Sequence, residues 1–267
     1  MNDKAICQIF IVLVFLFFAL EVSAADRVAR DYDWITAGEV SGSHRLQVRE
    51  DGTRVVDFEF NDRGRGPNIH EESRVDANGL PLAISITGHS YMGAPANETF
   101  RVEDGVGRWQ STLERGKAPA GDFYWANDGT FEQLAMLARV LLKQAERKIG
   151  LLPAGEASIS KLARHNHATL YAISGLGLTP EYIWLDENGE LFAVPLGWMS
   201  LVASGHADVL PQLQAIQDEA EASHYRRLAS ELTRELPANW LIRNVSVLDV
   251  ESGSLQPCLL YTSDAAD

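Results

Sequence analysis

The histidines are the residues best suited to chemistry, and one pair has a metal-ligating pattern. His165 and His167 form a His-x-His sequence. On a strand, alternate side chains share a face, so both rings could ligate one metal ion. A zinc site needs at least one further ligand, which the sequence does not identify. Two half-exposed histidines at a sheet edge explain the pair more simply, so we predict no metal ligand.

The other candidate motifs each lack a required residue. Residues 70–72 (His-Glu-Glu) lack the second histidine, four residues on, of a metalloprotease helix. His44 and His89 are isolated in predicted strands. There is no Gly-x-Ser-x-Gly nucleophile elbow, and residues 175–177 (Gly-Leu-Gly) lack the third glycine of a dinucleotide-binding loop. We therefore predict no catalytic, cofactor-binding or metal-binding residue.

Two weaker patterns could bind a ligand without doing chemistry. Arg63 and Arg65 lie among glycines in residues 61–67 and could hold an anion, although a long hairpin loop explains the stretch more simply. Aromatic residues in strands are usually part of a core. Four tryptophans could instead line a ligand groove: Trp109, Trp125, Trp184 and Trp198.

The two ends of the chain predict export and an artificial tail. Residues 1–24 have the layout of a signal peptide: Lys4, an apolar run from Ile9 to Leu20, and small residues before Ala25. The run is shorter than the roughly 20 residues that span a bilayer. Residues 258–267 back-translate to a sequencing-library adapter, so we predict that they are an artefact and that the natural protein continues beyond residue 257.

The composition of the chain limits how it can fold and which classes of binding partner it can have. Residues 25–257 contain no cysteine, so the exported segment must fold without disulfides. The formal net charge of −14 argues against nucleic acid or an anionic membrane surface. We predict a periplasmic or secreted location, no stable membrane anchor after signal cleavage, and compatibility with a homo-oligomer.

Period-two hydrophobicity predicts an antiparallel sheet. Val56, Phe58 and Phe60 alternate with Asp57 and Glu59, and similar runs extend from about Tyr32 to Trp109 and resume at Ala168. Asp-Gly and Asn-Gly turns separate them, which favours hairpins. The predicted fold class is α+β: a mostly antiparallel β-sheet domain over residues 25–205, with one packed helix at about 130–148.

Two helices interrupt or follow this sheet. Apolar residues at helical spacing follow Thr130, which with Gln133 reads as a capping box. A second helix, from Ala207 to Leu236, falls in a predicted connecting segment at residues 206–237. It could pack on the sheet or connect two domains. Residues 238–257 then begin a new strand.

Several segments, taken in order, resemble one family. Trp240 to Leu255 (WLIRNVSVLDVESGSL) resembles the opening of the amidohydrolase superfamily, where such a strand begins a small β-sandwich beside a metal-dependent barrel. Four upstream segments resemble the N-terminal extension of exported imidazolonepropionase-like amidohydrolases: residues 61–67, 87–95, 126–129 and 171–175.

The resemblance implies that this chain is the non-catalytic front of an exported metal-dependent hydrolase of C–N bonds. The missing barrel would hold a divalent metal, with zinc the expected ion, and would alone meet a small-molecule or peptide substrate. His165 and His167 precede the family strand, so they are not its metal pair. The alternatives are a stand-alone periplasmic β-sheet carrier or binding protein for an apolar ligand, and a structural protein of the cell envelope.

Overall fold

The computed structural model describes residues 28–234 and 244–258. The predicted signal peptide, most of the predicted adapter tail and the start of the family-like strand at Trp240 lie outside these ranges. The chain divides into two compact units, with the boundary between Ala220 and Glu221. The segment boundaries predicted from the sequence stay predictions.

The first unit is built on one sheet of fifteen strands. In sheet order it runs from β8 back to β1 and then from β15 back to β9. All neighbouring pairs are antiparallel except β9 with β10. The strands are β1 Val28–Thr36, β2 Glu39–Val48, β3 Arg54–Phe60, β4 Asn68–Val75, β5 Pro81–His89, β6 Pro95–Glu103, β7 Val106–Gln110, β8 Arg115–Pro119, β9 Phe123–Tyr124, β10 Lys148–Leu152, β11 Glu156–His165, β12 Ala168–Ser174, β13 Glu181–Leu185, β14 Leu191–Leu196 and β15 Met199–Ala203.

The period-two pattern and the turn residues predicted the strands correctly over about residues 32–109 and 168–194, but not β8 to β11. On β3, Val56 and Phe58 are buried while Asp57 and Glu59 face solvent, as expected for a strand with one covered face. Each predicted hairpin turn contains a glycine with a positive φ, a conformation that only glycine adopts at little cost. These are Gly52, Gly79, Gly105 and Gly189.

Helix α1, Phe131–Lys143, lies against the inner face of the sheet but differs from its prediction at both ends. The predicted capping box is wrong: the Thr130 side chain makes no capping hydrogen bond, and Gln133 Oε1 accepts one from the Ala126 backbone N–H. The helix ends before residue 148 because Lys148–Leu152 pairs with β11 as strand β10. Cross-strand pairing outweighs the helical spacing that continues to Ala145.

The sheet coils so that its edge strands β9 and β10 pack against the inner face of strands β5 to β7. Tyr124 of β9 stacks on Phe100 of β6 with ring centroids 4.4 Å apart. Leu152 of β10 belongs to the same buried cluster as Ile84 and Trp109, which lie on β5 and β7. The main core therefore consists of α1 and the inner face of the sheet that surrounds it.

Helix α2, Leu210–Leu232, follows a 3-10 turn at Ala207–Val209. Its first half packs on the outer face of the sheet, where Leu210 and Leu213 share a buried cluster with Trp184 and Phe192. Of the two roles considered for this helix, packing on the sheet holds for residues 210–220. None of the described helices is long and apolar enough to cross a membrane.

The second unit holds the rest of α2 and a hairpin. Strands β16 (Val245–Asp249) and β17 (Ser254–Cys258) pair with each other in an antiparallel two-stranded sheet. The predicted fold class is therefore confirmed as mostly antiparallel α+β. Its finer part, the start of a truncated amidohydrolase sandwich, is wrong, since the fold is dominated by a coiled fifteen-stranded sheet.

Candidate functional site

One end of the coiled sheet exposes apolar side chains. Successive strands alternate in direction, so every second connection returns to the same end. The connections at residues 37–38, 61–67, 90–94, 111–114, 175–180 and 197–198 share one end with the start of β11. Among the described residues of the first unit, seven large apolar side chains are exposed, and all but Leu162 lie at this end: Val40, Met92, Leu113, Leu178, Leu196 and Trp198. We call it the apolar end.

A second set of apolar residues lies just inside the apolar end. These side chains are partly buried and pack on the main core. Each lies where an element begins or ends at this side of the sheet, so the chain positions them through its turns. We call them the inner ring: Phe60, Trp125, Phe131, Leu176 and Met199. The core is thus lined with half-covered apolar surface at the same end that carries exposed apolar side chains.

Buried polar atoms without partners lie beneath the inner ring. Trp34 stacks on Phe60 with ring centroids 4.5 Å apart and lies 5.7 Å from the Phe131 ring. In the described part of the chain, its Nε1 has no hydrogen-bond partner, and neither ring nitrogen of His44 has a partner from another residue. Such atoms are uncommon in protein interiors. Burial lowers the pKa of His44 to about 4, so its ring is neutral at pH 7.

Two buried glutamates hold the segment that leads into α1. Glu71 on β4 accepts a hydrogen bond from the Thr130 backbone N–H at 2.8 Å. Glu98 on β6 accepts one from the Tyr124 hydroxyl at 2.5 Å and one from the Asn127 N–H at 2.9 Å. Burial raises the pKa of both carboxyls, that of Glu71 to about 7. These contacts fix the start of α1, and with it Phe131 of the inner ring.

A third buried glutamate anchors α1 to the sheet through arginines. Glu132 has no exposed surface and contacts both Arg54 of β3, at 2.7 Å, and Arg139 of α1. Burial alone would raise the pKa of Glu132, but the charges of Arg139 and Arg54 lower it below its usual value. Glu190 lies 3.3 Å from Arg139 and extends the network. The network orients α1, and its charges are compensated by one another.

The geometry considered for the His-x-His pair, with both rings on one strand face, is not found. His165 ends β11, Asn166 has a φ of 50°, and His167 lies in the turn that follows. The two rings therefore do not share a strand face. His167 instead contacts Phe192, with ring centroids 4.8 Å apart. In residues 28–234 and 244–258, no three His, Cys, Asp or Glu side chains are grouped as metal ligands would be.

His167 lies in a groove at the opposite end of the sheet. The groove has a volume of about 290 Å³. Its lining is mixed, with charged and polar side chains beside Leu191 and Phe192. The polar lining residues are Arg30, Asp31, His167, Asp186, Ser204 and His206.

Residues 61–67, the loop that contains Arg63 and Arg65, also contain a carboxylate that lies near both arginines. Asp62 is buried and accepts a hydrogen bond from the Tyr91 hydroxyl at 2.6 Å. Arg65 lies over the Tyr91 ring, 5.4 Å from its centroid, and 4.0 Å from Asp62. Arg63 is exposed and 3.9 Å from Asp62. Because a carboxylate already faces both cations, the loop is better suited to a structural role than to anion binding.

The tryptophans divide between core and surface. Trp109 and Trp184 are buried, Trp125 belongs to the inner ring, and Trp198 is 55% exposed at the apolar end. Of the four tryptophans that the sequence offered as ligand-groove candidates, the structure brings two, Trp125 and Trp198, to the same end of the sheet. It missed Leu178, Leu196 and Met199, which no sequence pattern groups with them.

Comparison with known proteins finds similar structures but no matching family. No family model matches the chain, and neither does any curated protein. A DUF1089 family protein from Pseudomonas aeruginosa is 18% identical, with a TM-score of 0.40, covering 59% of this chain and 91% of that one. A beta-barrel-like protein of the domain of unknown function DUF1849 from Brucella abortus is 12% identical, with a TM-score of 0.37, covering 65% and 93%.

These comparisons correct the amidohydrolase interpretation. The matching structures belong to families of unknown function, and neither is described as an amidohydrolase or a hydrolase. The prediction that this chain is the front of an imidazolonepropionase-like enzyme is wrong, and so is the function of hydrolysing C–N bonds that it implied. Three of the quoted upstream segments, residues 61–67, 87–95 and 126–129, lie in or around turns, whose residues any hairpin-rich sheet shares.

Proposed function

We propose that this protein is a stand-alone binding protein that holds an apolar ligand at the apolar end of its sheet. The observation that carries the proposal is the distribution of exposed apolar side chains in the first unit, which are concentrated where the inner ring is only half covered. Six exposed apolar side chains gathered at one end of the sheet are what a binding surface for an apolar ligand requires.

The ligand would lie across the apolar end of the coiled sheet. Side chains of α1 occupy the main core, since Leu134, Leu137 and Leu141 are all buried there. The inner ring offers an apolar floor, and the exposed side chains around it can close over a chain-like ligand. Trp34 Nε1 and His44 offer polar atoms beneath the floor. This combination of apolar walls and a few polar atoms is typical of small-molecule sites.

Titration with a polyene fatty acid, whose fluorescence rises in an apolar environment, tests the proposal. The wild-type chain should bind it saturably. The double variant Leu178→Ser/Trp198→Ser should bind at least tenfold more weakly, because burying each large apolar side chain contributes about 1.5–3 kcal/mol.

The matched control is Leu162→Ser, which removes an exposed leucine within β11, away from the apolar end. Its affinity should equal that of the wild type. Equal weakening by the control, or the absence of saturable binding, would contradict the proposal.

A further inference from the structure

Cations far apart in the sequence form one row on the outer face of the sheet. Arg74 pairs with Ala83, Ala83 with Arg101, Arg101 with Arg108, and Arg108 with Lys117. These residues come from five consecutive strands, β4 to β8. Directly paired residues point to the same face, so the row runs across the strands. We call its charged members the cation row: Arg74, Arg101, Arg108 and Lys117.

The cation row is unusual for a chain with a net charge of −14. All four side chains are exposed, and within the described residues none of them lies in a salt bridge of 4.0 Å or less. Like charges directly opposite each other destabilise a sheet. The fold therefore accepts an unfavourable arrangement on this face, which an anionic ligand would relieve.

Hydrogen-bonding side chains form a second row beside the first. Ser85 pairs with Thr99, and Thr99 with Gln110. All three are exposed and lie two residues along their strands from the positions of the cation row. They offer hydroxyl and amide groups next to the positive charges, a combination that suits a ligand carrying both carboxylates and hydroxyls.

A shallow cavity lies at the β4 end of the cation row. Its volume is about 300 Å³, and its lining includes Arg49, Arg74 and Arg101. Glu72 in the same lining is held by Arg49 at 2.9 Å. Asp51 also lines the cavity, and Arg49 is already paired with Glu72. Arg74 and Arg101 are therefore the guanidinium groups left to bind a carboxylate, which arginine does in a bidentate manner.

We propose that the cation row binds a linear acidic polysaccharide with one carboxylate on each sugar. Neighbouring strands are about 4.8 Å apart, so four cations on five strands, with Ala83 at the β5 position, give roughly one charge per 6 Å. Duplex DNA carries one charge per about 1.7 Å, far denser than the row. The face also lacks exposed large apolar side chains among the described residues, since Met92 and Leu113 lie at the apolar end, and it therefore offers nothing to insert into a lipid surface.

Calorimetric titration of the full chain with an oligogalacturonate of defined length tests the proposal. Binding should weaken as salt is raised. The variant Arg101→Gln/Arg108→Gln should lose at least tenfold in affinity. The control Lys161→Gln/Arg164→Gln removes the same charge from exposed positions on β11 and should lose less than threefold. Arg101→Lys/Arg108→Lys should fall between them, because lysine keeps the charge but not the bidentate geometry.

Three outcomes would overturn the proposal. They are no binding of oligogalacturonate, equal weakening by the control pair, and row-dependent binding of duplex DNA or anionic vesicles in place of the polysaccharide. A thermal melt confirms that each variant is folded. If the double variant does not fold, Lys117→Gln, on β8 at the edge of the sheet, should still weaken binding severalfold, and unchanged affinity would refute the row.

Discussion

At the scale of single residues, buried ionisable side chains make the stability of the folded protein depend on pH. Glu71 has no exposed surface, and burial raises its pKa to about 7. His44 is also fully buried, and burial lowers its pKa to about 4. Both groups favour their neutral forms in the folded protein, so each makes stability depend on pH, in opposite directions.

Glu71 should make the protein less stable as pH rises. Its folded pKa lies above its unfolded value of 4.5, so its contribution is present at acid pH and is lost as pH rises through 7. Relative to wild type, Glu71→Gln should gain on the order of 2 kcal/mol between pH 5 and pH 8. Chemical denaturation at both pH values measures this difference, and a difference that does not change with pH would refute it.

His44 should have the opposite effect. Its folded pKa lies below its unfolded value of 6.5, so its contribution is present above pH 6.5 and is lost as pH falls towards 4. His44→Phe keeps an aromatic ring among Tyr32, Phe58 and Phe131 but cannot be protonated. Acid titration followed by circular dichroism should show a lower unfolding midpoint for the variant. An equal or higher midpoint would contradict this account.

At the scale of elements, α1 is held by contacts that are distant in the sequence. Its N-terminus is bound by Glu71, 59 residues away, and its first turn is tied to β3 through Glu132 and Arg54. These contacts explain why a local capping box was the wrong prediction. They also place Phe131 in the inner ring.

Removing the Glu132 charge should destabilise the protein strongly. Glu132→Gln leaves Arg54 and Arg139 without their shared carboxylate, and breaking a buried ion pair in this way costs about 3 kcal/mol or more. Glu146→Gln, at an exposed position after α1, is the control and should change stability by less than about 0.5 kcal/mol. Similar losses in both variants, measured by urea unfolding, would show that the network is not stabilising.

The sequence predicted the elements better than their assembly. Strands such as β3 are half buried, so alternation identifies them, and glycine identifies their turns. Strand β10 was missed because the helical spacing continues to Ala145 and the predicted helix was extended to about residue 148, whereas pairing with β11 makes Lys148–Leu152 a strand. The inner ring could not be predicted, because Phe60, Trp125 and Met199 meet only when the sheet coils.

At the scale of the whole first unit, the coiled sheet brings together two surfaces of different chemical character. The apolar end gathers side chains from turns across the sheet, and the outer face of β4–β8 gathers cations. Neither set is contiguous in the sequence. Sequence motifs therefore do not identify either surface, because its residues meet only when the sheet coils.

Photoaffinity labelling with a fatty acid that carries a diazirine near its chain end is the most direct test of the central claim. The account predicts saturable labelling on peptides that contain inner-ring or apolar-end residues, such as Phe60, Leu176 and Trp198, and competition by unlabelled fatty acid. Labelling spread over the sheet without saturation, or confined to the second unit, would contradict the claim that the apolar end is a ligand-binding site.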